Sequence, residues 1–466
     1  MNNRTGYLIK NTALFALGNL GTKIISFFLI PLYTNVLSTE QYGIVDLVVT
    51  ISTIVVPILS LNIAESVMRF NLDRDADRNK ITKIGLLVLI AGCAVGLLFM
   101  PILGLFDKIA DIKLMVYFYV IFSASSQVLL YDLRGKELLL YYSLGNIFQT
   151  LFIAIFNIIF LVVLDLGIKG YLLAYILSFA IISIYAFVVG KGYKAIKVSI
   201  DREKMLEMLK YSIVLIPNSF MWWIMNSSDH IMVTAMIGVA ANGIYAISYK
   251  LPTLITTFTS IFNQAWSYSA IKEEGAKDEE EYNNKVFKNI ISISMLIGIG
   301  MLCVIKPFLA LYVSKDYYIS WKYTPFLIIG LVYLTLGSFM STSYTVHKDS
   351  FGFLFSGMLG AILNIILNFV LIPLIGVYGA AFATCISYVS VFIFRIYHTR
   401  KYIHYDIVNK EFIIGTVILI FSAILIYYDN IYTQFIQVGC VVVAFFMYRS
   451  IWKPYLNILK NKIKRK

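Results

Sequence analysis

Of the ionisable side chains inside long apolar segments of the chain, Lys23, Asp46, Asp229 and Lys250 are the candidates for function. A charge buried in hydrocarbon is costly, so a residue of this kind is a candidate for function. Lys23 lies near the middle of its segment, too deep for its amine to reach a membrane surface easily. Such a lysine suits an anionic ligand, or a structural ion pair, and the two aspartates suit a bound cation.

Polar residues near these charges recur at intervals of three or four, which places them on single helical faces. Asn19 precedes Lys23 by four residues. The second, seventh and eighth apolar segments carry longer stripes: Asp46, Thr50, Thr53 and Ser60; Asn218, Trp222, Asn226 and Asp229; and Lys250, Thr253, Thr257 and Gln264. Isolated serines and threonines often only bond the preceding turn, but a stripe along a whole helix indicates a water-filled cleft.

The composition excludes an ordinary soluble domain. Hydrophobic residues make up 59% of the 466 residues and charged residues only 14%, with a mean hydropathy of +0.79. The net charge of +13 resides mostly in short loops and at the C-terminus, which indicates membrane topology rather than nucleic-acid binding. The four cysteines and four histidines show no metal-ligand spacing. We find no catalytic constellation, so we expect no enzyme activity, metal or cofactor.

Apolar runs long enough to span a bilayer occur about fourteen times. The predicted spans are 11–37, 44–70, 83–106, 114–133, 141–164, 170–190, 211–237, 242–268, 287–313, 323–345, 353–374, 378–397, 411–428 and 434–452. Every second loop is rich in lysine and arginine, and the intervening loops hold only Lys108, Lys113, Lys169, Lys315 and Lys322. The positive-inside bias therefore predicts that both termini are cytoplasmic.

The second half of the chain repeats the first. Gln41–Leu47 follows the first predicted span, and the similar Ala241–Ile247 follows the seventh, with matching glycines 200 residues apart. Gly167–Gly170 precedes the sixth span as Gly376–Gly379 precedes the twelfth. An even number of spans per half makes the repeat parallel. We therefore expect an all-α membrane protein of two six-helix lobes facing a central cleft, with two additional C-terminal helices.

These patterns divide the chain into four parts. Residues 1–190 form the predicted N-lobe, and 191–210 form an amphipathic cytoplasmic linker. Residues 211–397 form the predicted C-lobe, and 398–466 contain the last two spans with a basic tail.

Five short motifs resemble, in their order and spacing, the polysaccharide transporter family, the Wzx-type O-antigen flippases. The motifs are Pro31-Leu32-Tyr33, Gln41-Tyr42-Gly43, Asn226-Ser227-Ser228-Asp229, Gly243-Ile244-Tyr245 and Tyr249-Lys250-Leu251-Pro252. The family is grouped with multidrug extruders and peptidoglycan-precursor flippases. The resemblance covers essentially the whole chain, including the number of helices and the two-lobe repeat.

The resemblance implies a flippase that moves a polyprenyl-pyrophosphate-linked oligosaccharide from the inner to the outer leaflet by alternating access. It implies a bacterial cytoplasmic membrane and a supply of glycan to polysaccharide polymerase and chain-length machinery, for O-antigen or capsule. Lys23 and Lys250 would bind the pyrophosphate. The other expected substrate contacts are Asn19, Asn218, Trp222, Asn226, Thr253 and Thr257.

The alternative is a cation-coupled multidrug extruder of the same fold, with Asp46 and Asp229 as cation ligands. In either case a proton or sodium ion at these aspartates is a candidate coupling ion. Asp229 and Lys250 fall at similar predicted depths on neighbouring helices, which predicts that they pair when the cleft is empty. An enzyme is disfavoured because all predicted outer loops are short.

Overall fold

The computed structural model describes residues 22–449 except positions 74, 105–106, 408 and 429. The described residues form helices and short connections, with no strand among them. Nine helices in this part of the chain are long and apolar enough to cross a membrane, and shorter apolar helices accompany them. The predicted all-α polytopic fold is therefore confirmed.

The first part of the chain contains ten helices within the described residues. They are α1 (Thr22–Val36), α2 (Thr39–Leu59), α3 (Ile63–Asn71), α4 (Arg78–Leu103), α5 (Asp107–Ala110), α6 (Lys113–Gly135), α7 (Leu139–Asn157), α8 (Gly167–Val189), α9 (Gly192–Ile196) and α10 (Arg202–Met236). Helix α7 continues as a π-helix over Ile158–Val163.

The rest of the described chain continues with α11 (Val239–Lys250), α12 (Thr253–Lys272), α13 (Glu279–Tyr312), α14 (Thr324–Val346), α15 (Ser350–Ile375), α16 (Val377–His398), α17 (Lys410–Leu425) and α18 (Ile431–Met447). Single 3₁₀ segments occupy Lys315–Lys322 and Thr399–Lys401.

Two predicted spans are broken into pairs of helices. The second span consists of α2 and α3, separated by Leu61 and Asn62, whose φ angles of 48° and 53° are left-handed. The eighth span consists of α11 and α12, which meet at Pro252. Proline lacks the N–H that a continuing helix requires, which favours a break at Pro252, although Pro217 and Pro307 lie inside unbroken helices. Hydropathy alone cannot locate these breaks because both sides are apolar.

The described residues group into two compact units that divide between Trp223 and Ile224, within α10. In the first unit, α3, α4 and α6 pack around the buried residues Ile63, Ile84 and Val128. The start of α10 joins this core, because the Ser66 hydroxyl donates to the carbonyl of the fully buried Met208 at 3.0 Å.

The predicted linker, 191–210, comprises α9 and the first turns of α10. Helix α10 then runs without interruption to Met236. The lobe boundaries drawn from the sequence stay predictions.

The second unit is built on α14, which packs against α12, α13 and α16, while α15 packs against α16. Its core contains fully buried Phe287, Leu336 and Phe339. Helices α17 and α18 pack on α13, and Leu419 of α17 enters the same core.

The internal repeat is visible in one corresponding turn of each unit. Helices α6 and α14 both have 23 residues. Each is followed by a capping residue and then by a residue with positive φ, Glu137 at 63° and Lys348 at 56°. One further residue, Leu138 or Asp349, precedes the next helix. The two turns therefore have the same backbone geometry with different side chains.

Candidate functional site

Asp229 lies at the centre of a buried polar cluster in the second unit. Its side chain, on α10, is only 3% exposed. The hydroxyls of Tyr245, Tyr249 and Thr384 donate to Oδ2 at 2.6, 2.8 and 3.2 Å. The backbone N–H of His230 donates to the other oxygen at 3.1 Å. Hydrogen bonds to an ionised group stabilise it more than bonds between neutral groups, so this arrangement supports a negative charge away from water.

Two helices bring the hydroxyl donors to α10. Tyr245 and Tyr249 are four residues apart on α11 and therefore lie on one face of that helix. Thr384 comes from α16, which carries it across to the same carboxylate oxygen.

Two asparagines of α15 extend the cluster. The Asn364 amide donates to the Thr384 hydroxyl at 3.2 Å, and the Asn368 amide donates to the Asn364 oxygen at 2.9 Å. Ser228 also donates to the Asn364 oxygen, at 3.2 Å. Both asparagines are almost completely buried. The Asn368 oxygen finds no donor among the described residues.

The donor set is one carboxylate surrounded by neutral hydroxyl and amide oxygens. Oxygen ligands of this type suit hard cations, and a single carboxylate matches the charge of a sodium ion or a proton. A monovalent cation or a proton is the kind of ligand that such a donor set suits.

The predicted pair between Asp229 and Lys250 is wrong for this structure. No ion pair joins the two among the described residues, and Asp229 is bound by hydroxyls instead. The reason is helical periodicity: Tyr245 and Tyr249 face Asp229, and Lys250 follows one residue later, about 100° further around α11. Lys250 is half-buried at the end of that helix.

Two predicted substrate contacts follow Lys250 on α12. Thr253 is exposed and donates to the Lys250 carbonyl at 2.8 Å. Thr257 is half-buried and donates to the Thr253 carbonyl at 3.2 Å. Both hydroxyls bond the preceding turn, which leaves their oxygen lone pairs available as acceptors.

The remaining predicted contacts on α10 are only partly described. Asn226 is exposed, and its side-chain oxygen accepts a bond from Tyr388 at 3.3 Å. Asn218 and Trp222 belong to the same helix, and their side chains lie outside the described residues.

The first unit carries the other predicted ionisable residues. Lys23, on α1, is exposed and forms no hydrogen bond or ion pair with a described residue. Asn19 lies outside the described residues. Asp46 is half-buried on α2, one turn after the buried Tyr42. Lys23 belongs to the first unit and Lys250 to the second.

Sequence reasoning found Asp229 but missed the residues that surround it. Tyr245, Tyr249, Asn364, Asn368 and Thr384 were not candidates, although two signals point to them. The tyrosines and the asparagines each recur at a spacing of four, and the asparagines are the only amides in the strongly apolar α15. Thr384 carried no such signal.

Residues 8–268 match the profile of a family described as polysaccharide biosynthesis protein. An uncharacterized membrane protein of Methanocaldococcus jannaschii is 25% identical over 432 residues, covering 85% of this chain and 99% of the relative. A second uncharacterized membrane protein of that organism is 24% identical over 353 residues, covering 71% of this chain and 68% of the relative.

Two solved structures share the fold. Lipid II flippase MurJ in its inward closed conformation has a TM-score of 0.73 at 15% identity, covering 95% of this chain and 99% of that one. An inward-facing multidrug resistance transporter of the MATE family, in the MOP superfamily, has a TM-score of 0.65 at 14% identity, covering 87% and 94%. The resemblance inferred from the sequence motifs is confirmed by the family match, which covers more than half of the residues, and the chain belongs to the polysaccharide biosynthesis protein family.

Proposed function

We propose that this protein is a flippase that moves a polyprenyl-pyrophosphate-linked oligosaccharide from the inner to the outer leaflet, driven by a cation bound at Asp229. The observation that carries the proposal is the buried Asp229 cluster, in a polytopic chain of a polysaccharide biosynthesis family. We further propose a bacterial cytoplasmic membrane as its location, with both termini inside.

The proposed substrate class rests on the free-energy barrier that the membrane presents to a charged headgroup. A pyrophosphate and several hydroxyls cannot enter hydrocarbon unaided, because desolvating an isolated ion costs on the order of tens of kcal/mol. Lys23 and Lys250 supply positive charges for the pyrophosphate. Asn226, Thr253 and Thr257 supply acceptors for sugar hydroxyls. Lysine binds phosphate as a point charge without the bidentate geometry of arginine, which suits a transient contact.

Coupling rests on competition for the Asp229 carboxylate between the hydroxyl donors and a cation. In the described structure its Oδ2 is saturated by three hydroxyl donors. A sodium ion or proton on this carboxylate displaces those donors, and the same hydroxyl oxygens can then turn to ligate the ion. Because the hydroxyls come from α11 and α16, ion binding changes how these helices are tied to α10. Alternating access then couples the ion to the movement of the headgroup.

Depletion of the protein in the cells that make it tests the substrate class. A lipid-linked oligosaccharide should accumulate in the inner leaflet, and re-expression of the wild-type chain should clear it. Mass spectrometry of the extracted lipids identifies the glycan. If no lipid-linked glycan accumulates while a cationic dye is retained by depleted cells, the chain is a multidrug extruder instead.

The extruder is the second candidate because a cation site of this kind serves a drug transporter equally well. Two lysines among the candidate substrate contacts argue against it, since they repel cationic drugs. The dye measurement therefore separates the two functions directly.

A further inference from the structure

A cavity of about 640 Å³ opens in the first unit where α4 begins, α6 ends, α7 begins and α8 ends. Its charged lining residues are all cationic, and they are Arg78, Lys136, Lys191 and Lys194. These helix ends carry the basic loops that the sequence predicts to be cytoplasmic. The cavity is separate from every candidate substrate or ion contact named above.

Acidic side chains beside the cavity neutralise only part of this charge. The Lys136 amine bonds Asp132 at 2.6 Å and the Gly190 carbonyl at 2.8 Å, both within the protein. Arg78 lies 3.6 Å from Glu137, and both of these side chains are about half exposed. Lys191 and Lys194 are exposed and form no ion pair with any residue that the structure describes. Two positive charges therefore remain available at the mouth of the cavity.

In the corresponding turn of the second unit, a carboxylate of the chain itself binds the neighbouring cation. Asp349 occupies the position equivalent to Leu138, immediately before α15. Its carboxylate accepts bonds from the Gly352 N–H at 2.8 Å and from Lys401 and Tyr402, both at 2.9 Å. Lys401 lies shortly after the end of α16 at His398, and Lys191 lies shortly after the end of α8 at Val189.

In the first unit the equivalent position is Leu138, which carries no carboxylate. Leu138 caps nothing with its side chain, and the cations around it have no acidic residue in the equivalent position. Among the described residues, Asp132 and Glu137 pair with Lys136 and Arg78, so an anion at Lys191 and Lys194 comes from outside the chain.

The surroundings of the cavity indicate where that anion comes from. Leu138, Tyr141 and Val189 line it beside the cations. Leu140 precedes Tyr141, Val188 precedes Val189 and Ile196 follows Lys194 by two residues, and all three side chains are more than half exposed. Exposed apolar side chains at the ends of membrane helices mark the lipid interface, where phospholipid phosphates lie. Basic pockets between helices at the cytoplasmic surface are typical of sites for anionic lipid headgroups.

We propose that this cavity binds a phosphate-bearing anion, with the headgroup of an anionic phospholipid of the cytoplasmic leaflet as its source. The lipid phosphate takes the position that Asp349 takes in the second unit. Lys191 and Lys194 bind the phosphate oxygens, and the apolar lining contacts the start of the acyl chains.

The test is the melting temperature of the purified full-length protein in detergent, titrated with phosphatidylglycerol, phosphatidylcholine or inorganic phosphate. Phosphatidylglycerol should raise the melting temperature saturably, and phosphatidylcholine should not. Replacing Lys191 and Lys194 together by glutamine should increase the half-saturating concentration by about tenfold or more, as expected for the loss of two interfacial cations. The matched control is Lys197→Gln with Lys210→Gln, which removes the same charge from exposed positions outside the cavity lining.

A second variant tests the comparison between the two turns. Leu138→Asp should raise the melting temperature without lipid and reduce the shift caused by phosphatidylglycerol. Leu138→Asn can cap α7 without the charge and should leave the lipid response intact. A lysine-dependent shift with inorganic phosphate alone would identify a free phosphate as the source. The proposal is overturned if neither probe gives a shift, or if both glutamine pairs weaken the response equally.

Discussion

At the scale of single residues, Asp229 depends on hydroxyl donors that lie far from it in the sequence. A carboxylate buried to 3% exposure is destabilised unless its oxygens are bonded. Each hydrogen bond to an ionised group contributes about 1.5–3 kcal/mol. Tyr245 and Tyr249 therefore hold the charge in place in the absence of a coupling ion.

Tyr249→Phe removes one of these donors while keeping the ring. We expect it to destabilise the protein by about 1.5–3 kcal/mol when Asp229 is ionised. In an Asp229→Asn background the same change should cost much less, because a neutral amide needs the donor less. Thermal unfolding of the four proteins in this double-mutant cycle measures the coupling. Equal losses in both backgrounds would show that the tyrosine only packs.

Lys23 offers a different case, because it is exposed and has no partner among the described residues. Lys23→Ala should therefore leave membrane abundance and melting temperature unchanged while abolishing glycan export, and Lys23→Arg should retain part of the export.

A buried lysine provides the contrast. Lys136→Ala removes the partner of the buried Asp132 and should destabilise the protein by about 3 kcal/mol or more. For Lys23, normal glycan export by Lys23→Ala would show that Lys23 does not contact the substrate.

At the scale of helices, the break at Pro252 separates Lys250, which ends α11, from Thr253, which begins α12. The candidate substrate contacts thus lie on both sides of an interrupted helix. At the break, the backbone N–H groups of Leu254 and Ile255 donate hydrogen bonds to the carbonyls of Leu251 and Pro252, respectively. Such an interruption allows the two segments to change their angle.

Pro252→Ala restores a backbone N–H and favours one continuous helix. We expect unchanged or higher thermal stability together with slower glycan export, measured in the same cells. Pro307→Ala in α13 is the matched control, since that proline lies inside a helix that continues past it to Tyr312. Export by Pro252→Ala at the wild-type rate would show that the break has no part in transport.

The turn before α15 has a measurable pH dependence. Bonds from the Gly352 N–H, Lys401 and Tyr402 lower the pKa of Asp349 to about 2. A carboxylate whose folded pKa is depressed contributes stability above its unfolded pKa of about 3.9, and that contribution is lost as pH falls through the folded value. Asp349→Ala should therefore lower the melting temperature at pH 7, and the difference from wild type should shrink between about pH 4 and pH 2. A difference that does not vary with pH would contradict the ionised cap.

Particular residues show how much of this architecture the sequence can predict. The long apolar helices follow from hydropathy because each must satisfy its own backbone in lipid. The break at Leu61 and Asn62 does not, since it depends on left-handed backbone angles that asparagine tolerates and leucine rarely adopts. Asp229 was found because a charge in an apolar run is conspicuous. Thr384 was not, because its contact with Asp229 joins residues 155 positions apart.

At the scale of the whole molecule, two compact units carry different polar features on a repeated helical pattern. The second unit holds the Asp229 cluster, and the first holds Lys23 and the basic cavity beside Lys191. Membership of a polysaccharide biosynthesis family supports the flippase account proposed above. In that account, ion binding in one unit is coupled to headgroup movement by the chain as a whole.

The most direct test of this account is transport of a polyprenyl-pyrophosphate-linked oligosaccharide by the purified protein in liposomes. The glycan that reaches the opposite leaflet is measured with a membrane-impermeant enzyme or lectin, with and without a sodium or proton gradient. We predict gradient-dependent movement by the wild-type protein and loss of the gradient dependence in Asp229→Asn, at equal protein incorporation. No movement of the glycan lipid under either gradient, or an unchanged gradient response in Asp229→Asn, would contradict the account.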